Sequence, residues 1–484
     1  MTHHTTAIVL AAGHGTRMRS SRPKVLHEIA GRSMLSHVLA ALTGAGISRA
    51  VIVVGHGSDE VQASLDADIA AGTFGLVDVT YAQQKAQLGT GDAARVGLDA
   101  VNALDRPGSG ADHVLILAGD TPLVTSELIG RLLEAGSPTG VVGALVAATV
   151  EDPTGYGRVV RDAAGNAQAI VEHRDATPDQ LALNEINAGM YLVDRALLDE
   201  ALGKLTPQNS QGEYYLTDIV EILGADDDRL AICLADAAEV AGVNNRAQLA
   251  EAARVLRDRI NHQWMLSGVS ITDPATTYVE VSVLLEPDCT IEPGTCLTGA
   301  TIVHSGARVG PHTTAHDAHI GPSAQVPHSW IVGAEIGPGA VVGPFAHLRQ
   351  GTALAEGAKV GSFAETKNAR LAPGAKVPHL SYVGDAEVGA RANVGAGTIT
   401  ANYDGVNKSK TVIGDGAFIG SNSVLVAPVT VGAGAKTGAG AVVTRDVQPG
   451  ETVVGVPARP LGKPGSDAGA GSGDDTTEAP HSSK

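Results

Sequence analysis

The chain has 484 residues, enough for two or three domains that each bury their own core. Its net charge of −18 at pH 7 argues against general binding to nucleic acid or to a membrane surface, and no apolar run reaches the roughly 18 residues of a membrane span. The three cysteines show no CxxC spacing and are odd in number, which argues against a disulfide framework. A cytoplasmic location is therefore expected.

Residues 1–245 alternate apolar runs with amphipathic segments. The runs Ala7–Leu10, Val51–Val54 and Val114–Leu117 predict buried parallel strands. Between the first two runs, apolar residues recur at helical spacing: Met34, Leu35, Val38, Leu39 and Leu42. This alternation predicts an α/β domain with a Rossmann-like, mostly parallel sheet, whose loops gather at the carboxyl ends of the strands.

A glycine-rich turn, LAAGHGTRM from Leu10 to Met18, directly follows the first predicted strand. Small residues let backbone N–H groups approach a polyphosphate closely, and Arg17 and Lys24 add positive charge. The spacing fits neither the GxGxxG pattern of dinucleotide-binding domains nor the GxxxxGK[ST] pattern of P-loops. The same turn could also join a strand to a helix without binding any ligand.

Asp120 follows the third predicted strand, in the segment Leu117–Pro122. A carboxylate at the carboxyl end of a strand is well placed to hold a Mg²⁺ ion that bridges phosphates. Asp120 alone could equally cap the next helix. Its combination with the glycine-rich turn favours the metal.

A helix is predicted after Asn245, where apolar residues recur every three or four positions over about 20 residues: Leu249, Ala253, Leu256 and Ile260. We divide the chain around this helix as follows: 1–245 α/β domain, 246–268 linker helix, 269–460 second domain, 461–484 tail. The tail is rich in Gly, Ser and Asp without any hydrophobic pattern, so disorder is expected there.

The second half of the chain repeats an apolar residue every six positions. Two registers carry the repeat, with Thr437 filling one place: Ile336, Val342, Leu348, Leu354 and Val360, and then Ile413, Ile419, Leu425, Val431, Thr437 and Val443. A period of six suits neither a helix at 3.6 nor a two-sided strand at 2. It predicts a parallel β-helix, from about Val279 to Val456, in which each short strand points one aliphatic residue inward.

Two segments interrupt the period of six, Phe363–Tyr382 and Thr400–Val412. Insertions into a solenoid leave the stacked coils and commonly carry function. The ordinary pKa of histidine lies close to neutrality, so a histidine in such a segment suits the role of a general base at pH 7. His379 alone could be an ordinary surface histidine, but its position near Lys367 and Tyr382 favours a catalytic role.

Short motifs occur in order along the first half of the chain: LAAGHGTRM, Pro23-Lys24, QKAQLGT from Gln84, Ala118–Asp120, PTGYGR from Pro153, Ile170–Glu172, Glu185–Asn187, QGEYYLTD from Gln211, and GVNN from Gly242. Over about residues 7–457 the chain resembles the bifunctional bacterial N-acetylglucosamine-1-phosphate uridylyltransferase/glucosamine-1-phosphate N-acetyltransferase family. The resemblance implies that the hexapeptide β-helix is left-handed. It also implies a homotrimer with acetyltransferase sites shared between chains.

The resemblance implies a uridylyltransferase site in the N-terminal domain, where N-acetylglucosamine-1-phosphate attacks the α-phosphorus of UTP and pyrophosphate leaves. Arg17 and Lys24 would neutralise the phosphates, while Asp120 and Asn244 would hold Mg²⁺. The full set of residues expected to bind UDP-N-acetylglucosamine is Leu10, Ala11, Ala12, Gly13, Lys24, Gln84, Gly89, Thr90, Gly157, Glu172, Asn187 and Asn244.

For the β-helix, the resemblance implies acetyl transfer from acetyl-CoA to glucosamine-1-phosphate, with His379 as the catalytic base. The expected sugar-phosphate contacts are Arg349, Lys367, Tyr382 and Asn393, and the expected acetyl-CoA contacts are Ala396, Asn402, Tyr403, Ser421 and Ala439. The chain departs from the family before its terminal Val456-Pro457, where Gly455 stands in place of a frequent arginine. Arg459 is a candidate replacement.

Two other functions compete with this interpretation. One is a single-function sugar-1-phosphate nucleotidylyltransferase whose β-helix only oligomerises or regulates. The other is a non-catalytic solenoid scaffold. His379, Lys367 and the Asn402-Tyr403 pair argue against the first, because a structural solenoid needs none of them. The intact glycine-rich turn with Lys24 and Asp120 argues against the second.

Overall fold

The structure is a computed structural model that describes residues 5–75, 78–104, 112–224 and 229–461. It divides into two compact units, Met1–Ile260 and Asn261–Lys484. Within those described ranges, no helix has the length and apolar character needed to cross a lipid bilayer. The expectation of a disordered tail falls on residues that lie outside the described ranges, apart from Leu461.

The first unit alternates strands and helices. Its strands are β1 Thr5–Ala11, β2 Glu28–Ile29, β3 Arg32–Ser33, β4 Arg49–Val54, β5 Asp78–Gln83, β6 His113–Ala118, β7 Val141–Thr149, β8 Arg158–Arg161, β9 Ala167–Val171, β10 Glu185–Asp194 and β11 Arg229–Ala235. The helices are α1 Met34–Gly44, α2 Ser58–Ala70, α3 Thr90–Leu104, α4 Ser126–Ala135, α5 Pro178–Leu181, α6 Arg195–Lys204, α7 Ile219–Gly224 and α8 Arg246–Leu266, which continues into the second unit.

The described strands of this unit form a nine-stranded sheet in the order β11-β7-β10-β6-β1-β4-β5, with β8 and β9 attached beside β10. Strand β1 is parallel to both β4 and β6, and β4 is parallel to β5. Strand β10 is antiparallel to β6 and β7. The predicted α/β domain with a mostly parallel sheet is confirmed. The carboxyl ends of β6, β1, β4 and β5 share one edge, and β10 begins at that edge.

Helix α1 illustrates how the sequence specifies this layer. The Ser33 hydroxyl accepts a hydrogen bond from the Ser36 N–H at 3.1 Å, a cap that contributes about 1 kcal/mol. The apolar residues of the predicted helical spacing are all fully buried: Met34, Leu35, Val38, Leu39 and Leu42. The start and the buried face of the helix both follow from local sequence.

The second unit consists of very short strands. The first fifteen are β12 Ser270–Ile271, β13 Tyr278–Val279, β14 Leu284–Leu285, β15 Thr290–Ile291, β16 Cys296–Thr298, β17 Ile302–Val303, β18 Arg308–Val309, β19 Thr314–His316, β20 His319–Ile320, β21 Gln325–Val326, β22 Trp330–Val332, β23 Glu335–Ile336, β24 Val341–Val342, β25 His347–Leu348 and β26 Ala353–Leu354. The rest are β27 Lys359–Ser362, β28 Glu365–Leu371, β29 Lys376–His379, β30 Tyr382–Val388, β31 Asn393–Val394, β32 Ile399–Ala401, β33 Thr411–Ile413, β34 Phe418–Ile419, β35 Val424–Val426, β36 Val429–Val431, β37 Lys436–Thr437, β38 Val442–Val443, β39 Thr452–Val454 and β40 Arg459–Pro460.

Each coil of this solenoid places one strand in a 12-stranded sheet and the next two stretches in a 17-stranded sheet. The pairing between coils is parallel, as at Val342 with Val360 and at Ile413 with Val431. Every residue of the two six-residue registers is buried, including Thr437 at 3% exposure. The predicted parallel β-helix is confirmed, and its hexapeptide repeats are those of left-handed β-helices.

Two edges of the solenoid matter for the sites. At the first corner, the chain passes from the 12-stranded sheet into the 17-stranded sheet. This corner contains His379, the last residue of β29. The second corner lies between the two stretches that each coil gives to the 17-stranded sheet. There β28 and β30 bend at Asn368 and Asp385, which have left-handed φ values of 45° and 47°.

The prediction that Phe363–Tyr382 leaves the coils is wrong. Glu365 pairs in register with Tyr382, 17 positions on, and Lys359 pairs with Lys376 at the same separation. The period of six fails there because the coil has 17 residues instead of 18, while the backbone keeps its path.

The second interruption, Thr400–Val412, is an insertion. Ala386 of β30 pairs with Thr411 of β33, 25 positions on. The linker between β32 and β33, residues 402–410, contains the extra residues and forms a loop at the second corner, which is closed by an antiparallel bridge between Tyr403 and Lys408. We call residues 402–410 the insertion loop.

Candidate active sites

The glycine-rich turn begins where β1 ends, at the edge that collects the carboxyl ends of the parallel strands. Gly15 adopts a φ of 58°, and a Cβ added there would lie 2.6 Å from the Cβ of Lys24. Both the left-handed conformation and the close approach require glycine. Gly13 is different, since a Cβ there would meet no atom within 4 Å. The turn thus brings Lys24 against its own backbone and leaves open space at Gly13.

Four residues expected to act on phosphate or metal meet beside this turn. Lys24 Nζ forms an ion pair with Asp120 Oδ2 and donates a hydrogen bond to Asn244 Oδ1 at 2.9 Å. Arg17 Nη2 donates to the same Asn244 oxygen at 2.8 Å. The Val243 N–H donates to the Asp120 carbonyl at 2.9 Å, which holds the two acceptors side by side.

This donor set fits a divalent cation. A carboxylate and an amide carbonyl are hard oxygen ligands, and Mg²⁺ typically takes one or two such protein ligands together with substrate phosphates and water. Among the described residues there is no cluster of three or more His, Cys, Asp or Glu side chains that could hold a metal by themselves. The Lys24 ammonium lies against both Asp120 and Asn244, so a positive charge already occupies the place that suits a cation.

The segment after β5 contacts the glycine-rich turn through Gln87, which lies outside the predicted set of site residues. Gln84 Nε2 donates to Asp92 Oδ2 at 2.8 Å and to the Gly89 carbonyl at 3.2 Å, so its side chain shapes the loop from within. Gln87 Nε2 donates to the Ala12 carbonyl at 2.6 Å. The position of Gln87 inside the QKAQLGT motif was the only signal for this contact.

The other side of the same loop is tied to residues 214–216. The Leu216 N–H donates to Thr90 Oγ1 at 3.1 Å, and the Gly91 N–H donates to the Tyr214 carbonyl at 2.8 Å. The loop that carries Gln84, Gly89 and Thr90 is therefore fixed at both ends.

Three residues expected to bind the sugar converge near the start of β10. The Asn187 N–H donates to the Gly157 carbonyl at 2.9 Å, and Asn187 Nδ2 donates to the Tyr191 hydroxyl at 2.6 Å. A Cβ added to Gly157 would lie 3.5 Å from Glu172 Oε1. The Thr217 hydroxyl donates to the same Glu172 oxygen at 3.2 Å. A small residue at 157 keeps this carboxylate accessible from one side.

Burial raises the pKa of two carboxylates in this cluster, Glu172 and Asp218. Desolvation raises the pKa of Glu172, with a smaller contribution from Asp175, and the Thr217 hydrogen bond opposes the rise. Burial also raises the pKa of Asp218 to about 6, assisted by the negative charges of Glu221, Glu172 and Asp175. Such acceptors suit neutral sugar hydroxyls, which donate hydrogen bonds without adding charge. Thr217 and Asp218 lie outside the predicted set of site residues, and their place in the QGEYYLTD motif is the only sequence signal for them.

In the β-helix, three of the expected sugar-phosphate residues are partly exposed and lie in the 17-stranded sheet or directly after one of its strands. Arg349 Nη1 pairs with Glu365 Oε1 at 2.8 Å. Lys367 lies close to Lys408 in the insertion loop, and the interaction with Lys408 lowers the pKa of Lys367. Tyr382 follows in the next coil, directly beside Glu365. Two adjacent ammonium groups repel each other, so they favour an anion between them.

His379, Ala396, Ser421 and Ala439 stack along the first corner on successive coils. Three backbone hydrogen bonds connect the levels: Gly397 N to His379 O at 3.3 Å, Asn422 N to Ala396 O at 2.7 Å, and Gly440 N to Ser421 O at 2.8 Å. The His379 side chain is exposed at the end of β29. The corner thus presents an imidazole above a column of small residues.

One chain does not bring all the expected acetyltransferase residues together. Asn393 lies in the 12-stranded sheet, whereas Lys367 and Tyr382 lie in the 17-stranded sheet. Asn402 and Tyr403 lie at the second corner, away from the column that contains Ala396, Ser421 and Ala439. The expected acetyl-CoA contacts are therefore divided between two edges of the solenoid.

The candidate replacement for the missing arginine is exposed. Arg459 Nη1 donates to the carbonyl of its neighbour Ala458 at 3.2 Å, and Val456 is 73% exposed. A role for Arg459 in binding CoA stays a prediction.

The fold and these clusters define a class: a nucleotidyltransferase domain joined to a hexapeptide-repeat transferase domain. Residues 7–182 match the family model of the MobA-like NTP transferase domain, and residues 410–445 match that of the bacterial transferase hexapeptide, six repeats.

Curated relatives of this two-domain kind match nearly the whole chain. The bifunctional protein GlmU of Heliobacterium modesticaldum is 47% identical over 93% of this chain and 95% of its own length. The bifunctional protein GlmU of Streptomyces coelicolor is 47% identical over 92% of this chain and 91% of its own length. That of Kineococcus radiotolerans is 44% identical over 97% of this chain and 95% of its own length. The chain belongs to the bifunctional GlmU family. It is thus a glucosamine-1-phosphate acetyltransferase and UDP-N-acetylglucosamine pyrophosphorylase, as the resemblance implied, and the single-function alternative is not favoured.

Proposed function

We propose that the β-helix acetylates glucosamine-1-phosphate with acetyl-CoA, and that the N-terminal domain then transfers a uridylyl group from UTP to N-acetylglucosamine-1-phosphate with Mg²⁺ as the metal. The observation that carries the second step is the convergence of Arg17, Lys24, Asp120 and Asn244 beside the glycine-rich turn. The family's nucleotidyltransferase chemistry calls for a divalent metal, and the oxygen donors of Asp120 and Asn244 suit Mg²⁺.

The strand order supports one direction for the proposed uridylyl transfer. Strand β10, with Asn187 near its start, lies on one side of β6, and β1 with the glycine-rich turn lies on the other. A sugar phosphate near Asn187 and Glu172 would approach the α-phosphorus from the β10 side, and pyrophosphate would leave toward Arg17 and Lys24. This arrangement supports in-line displacement.

The residues of this site act mainly by charge and position. Lys24 and Arg17 would turn from Asp120 and Asn244 toward the phosphates when UTP binds, and they would stabilise the charge of the departing pyrophosphate. Bound Mg²⁺ would neutralise phosphate charge at the same place. The Gln84–Thr90 loop would hold the uracil, because its backbone and side chains are already fixed at both ends.

The acetyl transfer would use His379 as a general base. The amine nitrogen of glucosamine-1-phosphate attacks the thioester carbonyl carbon, and His379 takes a proton from that nitrogen. The carbon–sulfur bond then breaks and CoA leaves as a thiolate, which receives a proton. Lys367 and Arg349 would hold the sugar phosphate, and Tyr382 and Asn393 would fix the sugar.

We further propose that the protein is a homotrimer whose acetyltransferase sites lie between chains. The division of the expected acetyl-CoA contacts between two corners supports this, because a neighbouring solenoid would bring the two sets together. Exposed aromatic side chains add support in a chain with only 3% aromatic residues: Trp330, Phe345 and Phe363 are more than half exposed. A cytoplasmic location stays a prediction.

The proposal is tested by giving purified protein glucosamine-1-phosphate, acetyl-CoA, UTP and Mg²⁺, and by following CoA thiol and pyrophosphate separately. We expect thiol release to need glucosamine-1-phosphate but not UTP. Pyrophosphate release should need a divalent cation and N-acetylglucosamine-1-phosphate, whether supplied or made in the first step. Pyrophosphate release without thiol release would support the single-function alternative.

A further inference from the structure

The start of the insertion loop is anchored by Asp385, a carboxylate outside the set of expected site residues. Asn402, at the start of the loop, is buried, and its Nδ2 donates a short hydrogen bond to Asp385 Oδ2. The other Asp385 oxygen accepts from Asn368 Nδ2 at 2.7 Å. Asp385 is thus held from both sides at the second corner, and its carboxylate cannot rotate without losing a hydrogen bond.

The same carboxylate lies in a positive field. Burial raises the pKa of Asp385, but hydrogen bonds from Asn368 and Asn402 and the charges of Lys408 and Lys367 outweigh it, and the net pKa is lowered. Lys367 and Lys408 are also close to each other. Without a nearby negative charge, two adjacent ammonium groups on an exposed surface would move apart.

We propose that Asp385 is a positioning residue for acetyl transfer, which fixes Asn402 for acetyl-CoA and keeps Lys367 and Lys408 together as a paired site for the sugar phosphate. This inference rests on the proposed function of the β-helix. It makes one side chain common to the two substrate subsites of that domain.

The substitution Asp385→Asn keeps the volume of the side chain and removes its charge. Asn402 and Asn368 both donate through Nδ2, and an amide offers only one acceptor oxygen, so one of the two contacts is lost. Loss of a hydrogen bond to a charged group predicts an increase of about tenfold or more in the KM for acetyl-CoA and for glucosamine-1-phosphate. We expect kcat to change by less than about threefold, since Asp385 touches no reacting atom.

Two further variants separate the two effects. Asn402→Ala should raise the KM for acetyl-CoA alone, and combining it with Asp385→Asn should add little more to that KM because both remove the same contact. Asn368→Ala, which leaves Asn402 intact, should weaken both subsites less than Asp385→Asn. Hydrogen exchange at Ser409, whose N–H donates to the Asn402 carbonyl at 2.8 Å, should quicken in Asp385→Asn.

Glu387→Gln is the matched control, because Glu387 pairs with Lys410 at the other end of the insertion loop. It should leave both KM values within about twofold, as expected for an exposed ion pair. Unchanged KM values in Asp385→Asn, or equal damage from Glu387→Gln, would overturn the inference. If Asp385→Asn does not fold, unchanged KM values in Asn368→Ala would do so. Absence of thiol release in the wild-type protein would instead contradict the proposed function.

Discussion

At the scale of single residues, Lys24 occupies the place in the N-terminal site where we propose that a metal ion binds. Its ammonium contacts both Asp120 and Asn244, which we propose as metal ligands. A lysine and a divalent cation cannot use the same two oxygens at once, because their charges repel. Metal binding should therefore be favoured when nucleotide phosphates draw Lys24 away.

The first prediction follows for Lys24→Met, which removes the competing charge and keeps a long apolar stem. In the absence of nucleotide, the affinity of this variant for Mn²⁺ should rise by roughly tenfold, because the ion no longer has to break the charge-assisted contact between Lys24 and Asp120. Uridylyl transfer should fall at least about a hundredfold. Titration followed by the Mn²⁺ electron paramagnetic resonance signal measures the affinity, with Arg22→Met as a surface control. Mn²⁺ affinity no higher than in the wild-type protein would contradict the competition.

The second prediction concerns Asp218, whose pKa burial raises to about 6. The folded state binds this proton more tightly than the unfolded state, in which the ordinary pKa is 3.8. Between these values stability falls as pH rises, and above about pH 6 the ionised carboxylate destabilises the fold. Asp218→Asn should therefore melt roughly 2–4 °C above the wild-type protein at pH 7.5, for a gain near 1 kcal/mol, and level with it near pH 4. A variant less stable than wild type at pH 7.5 would refute this.

At the scale of elements, apolar periodicity predicts strands of the first unit and the buried positions of the β-helix. The runs at Ala7–Leu10 and Val114–Leu117 became β1 and β6, and the six-residue registers became buried positions of the coils. The prediction that Phe363–Tyr382 leaves the coils is wrong, because a coil one residue shorter breaks the sequence period without moving the backbone. The contacts of Gln87 with Ala12 and of Asp385 with Asn402 could not be predicted, since each joins segments whose relative placement only the fold sets.

The glycine-rich turn gives the third prediction. Gly15→Ala would add a Cβ 2.6 Å from the Cβ of Lys24 at a left-handed φ of 58°. The turn or Lys24 must then move, and uridylyl transfer should fall at least about tenfold, because misplacement by about 1 Å is costly in a positioned site. Acetyl transfer should be unchanged. Gly130→Ala in α4 is the control, since a Cβ there meets no atom within 4 Å. Equal uridylyl rates in both variants would show that the turn tolerates a side chain.

At the scale of the whole molecule, the chain combines two sites with separate chemistry, and we propose that only one of them is complete within a single chain. The residues that we propose to bind phosphate and metal meet in one unit, whereas the expected acetyl-CoA contacts are split between the first and second corners. The sequence predicted which residues belong to the second site through family resemblance. The sequence of one chain does not predict the contacts between neighbouring chains that would bring these residues together.

The fourth prediction tests that division. Two variants with little acetyl transfer, His379→Ala and an Asn402→Ala/Tyr403→Ala double variant, are unfolded, mixed and refolded together. Mixed trimers should regain a minority of wild-type activity, because some interfaces would pair two intact surfaces. Each variant refolded alone is the control. Zero recovery in mixed trimers verified by mass spectrometry would place each site within one chain.

The central claim is that one chain performs two independent reactions, and comparing Asp120→Asn with His379→Ala tests it most directly. Asp120→Asn removes the charge that would hold the metal, so pyrophosphate release should fall well beyond about tenfold while CoA thiol release continues. His379→Ala should lower thiol release by about 10²–10⁴ and leave uridylylation of supplied N-acetylglucosamine-1-phosphate unchanged. Loss of both activities in either variant, or pyrophosphate release within about threefold of wild type in Asp120→Asn, would contradict the account.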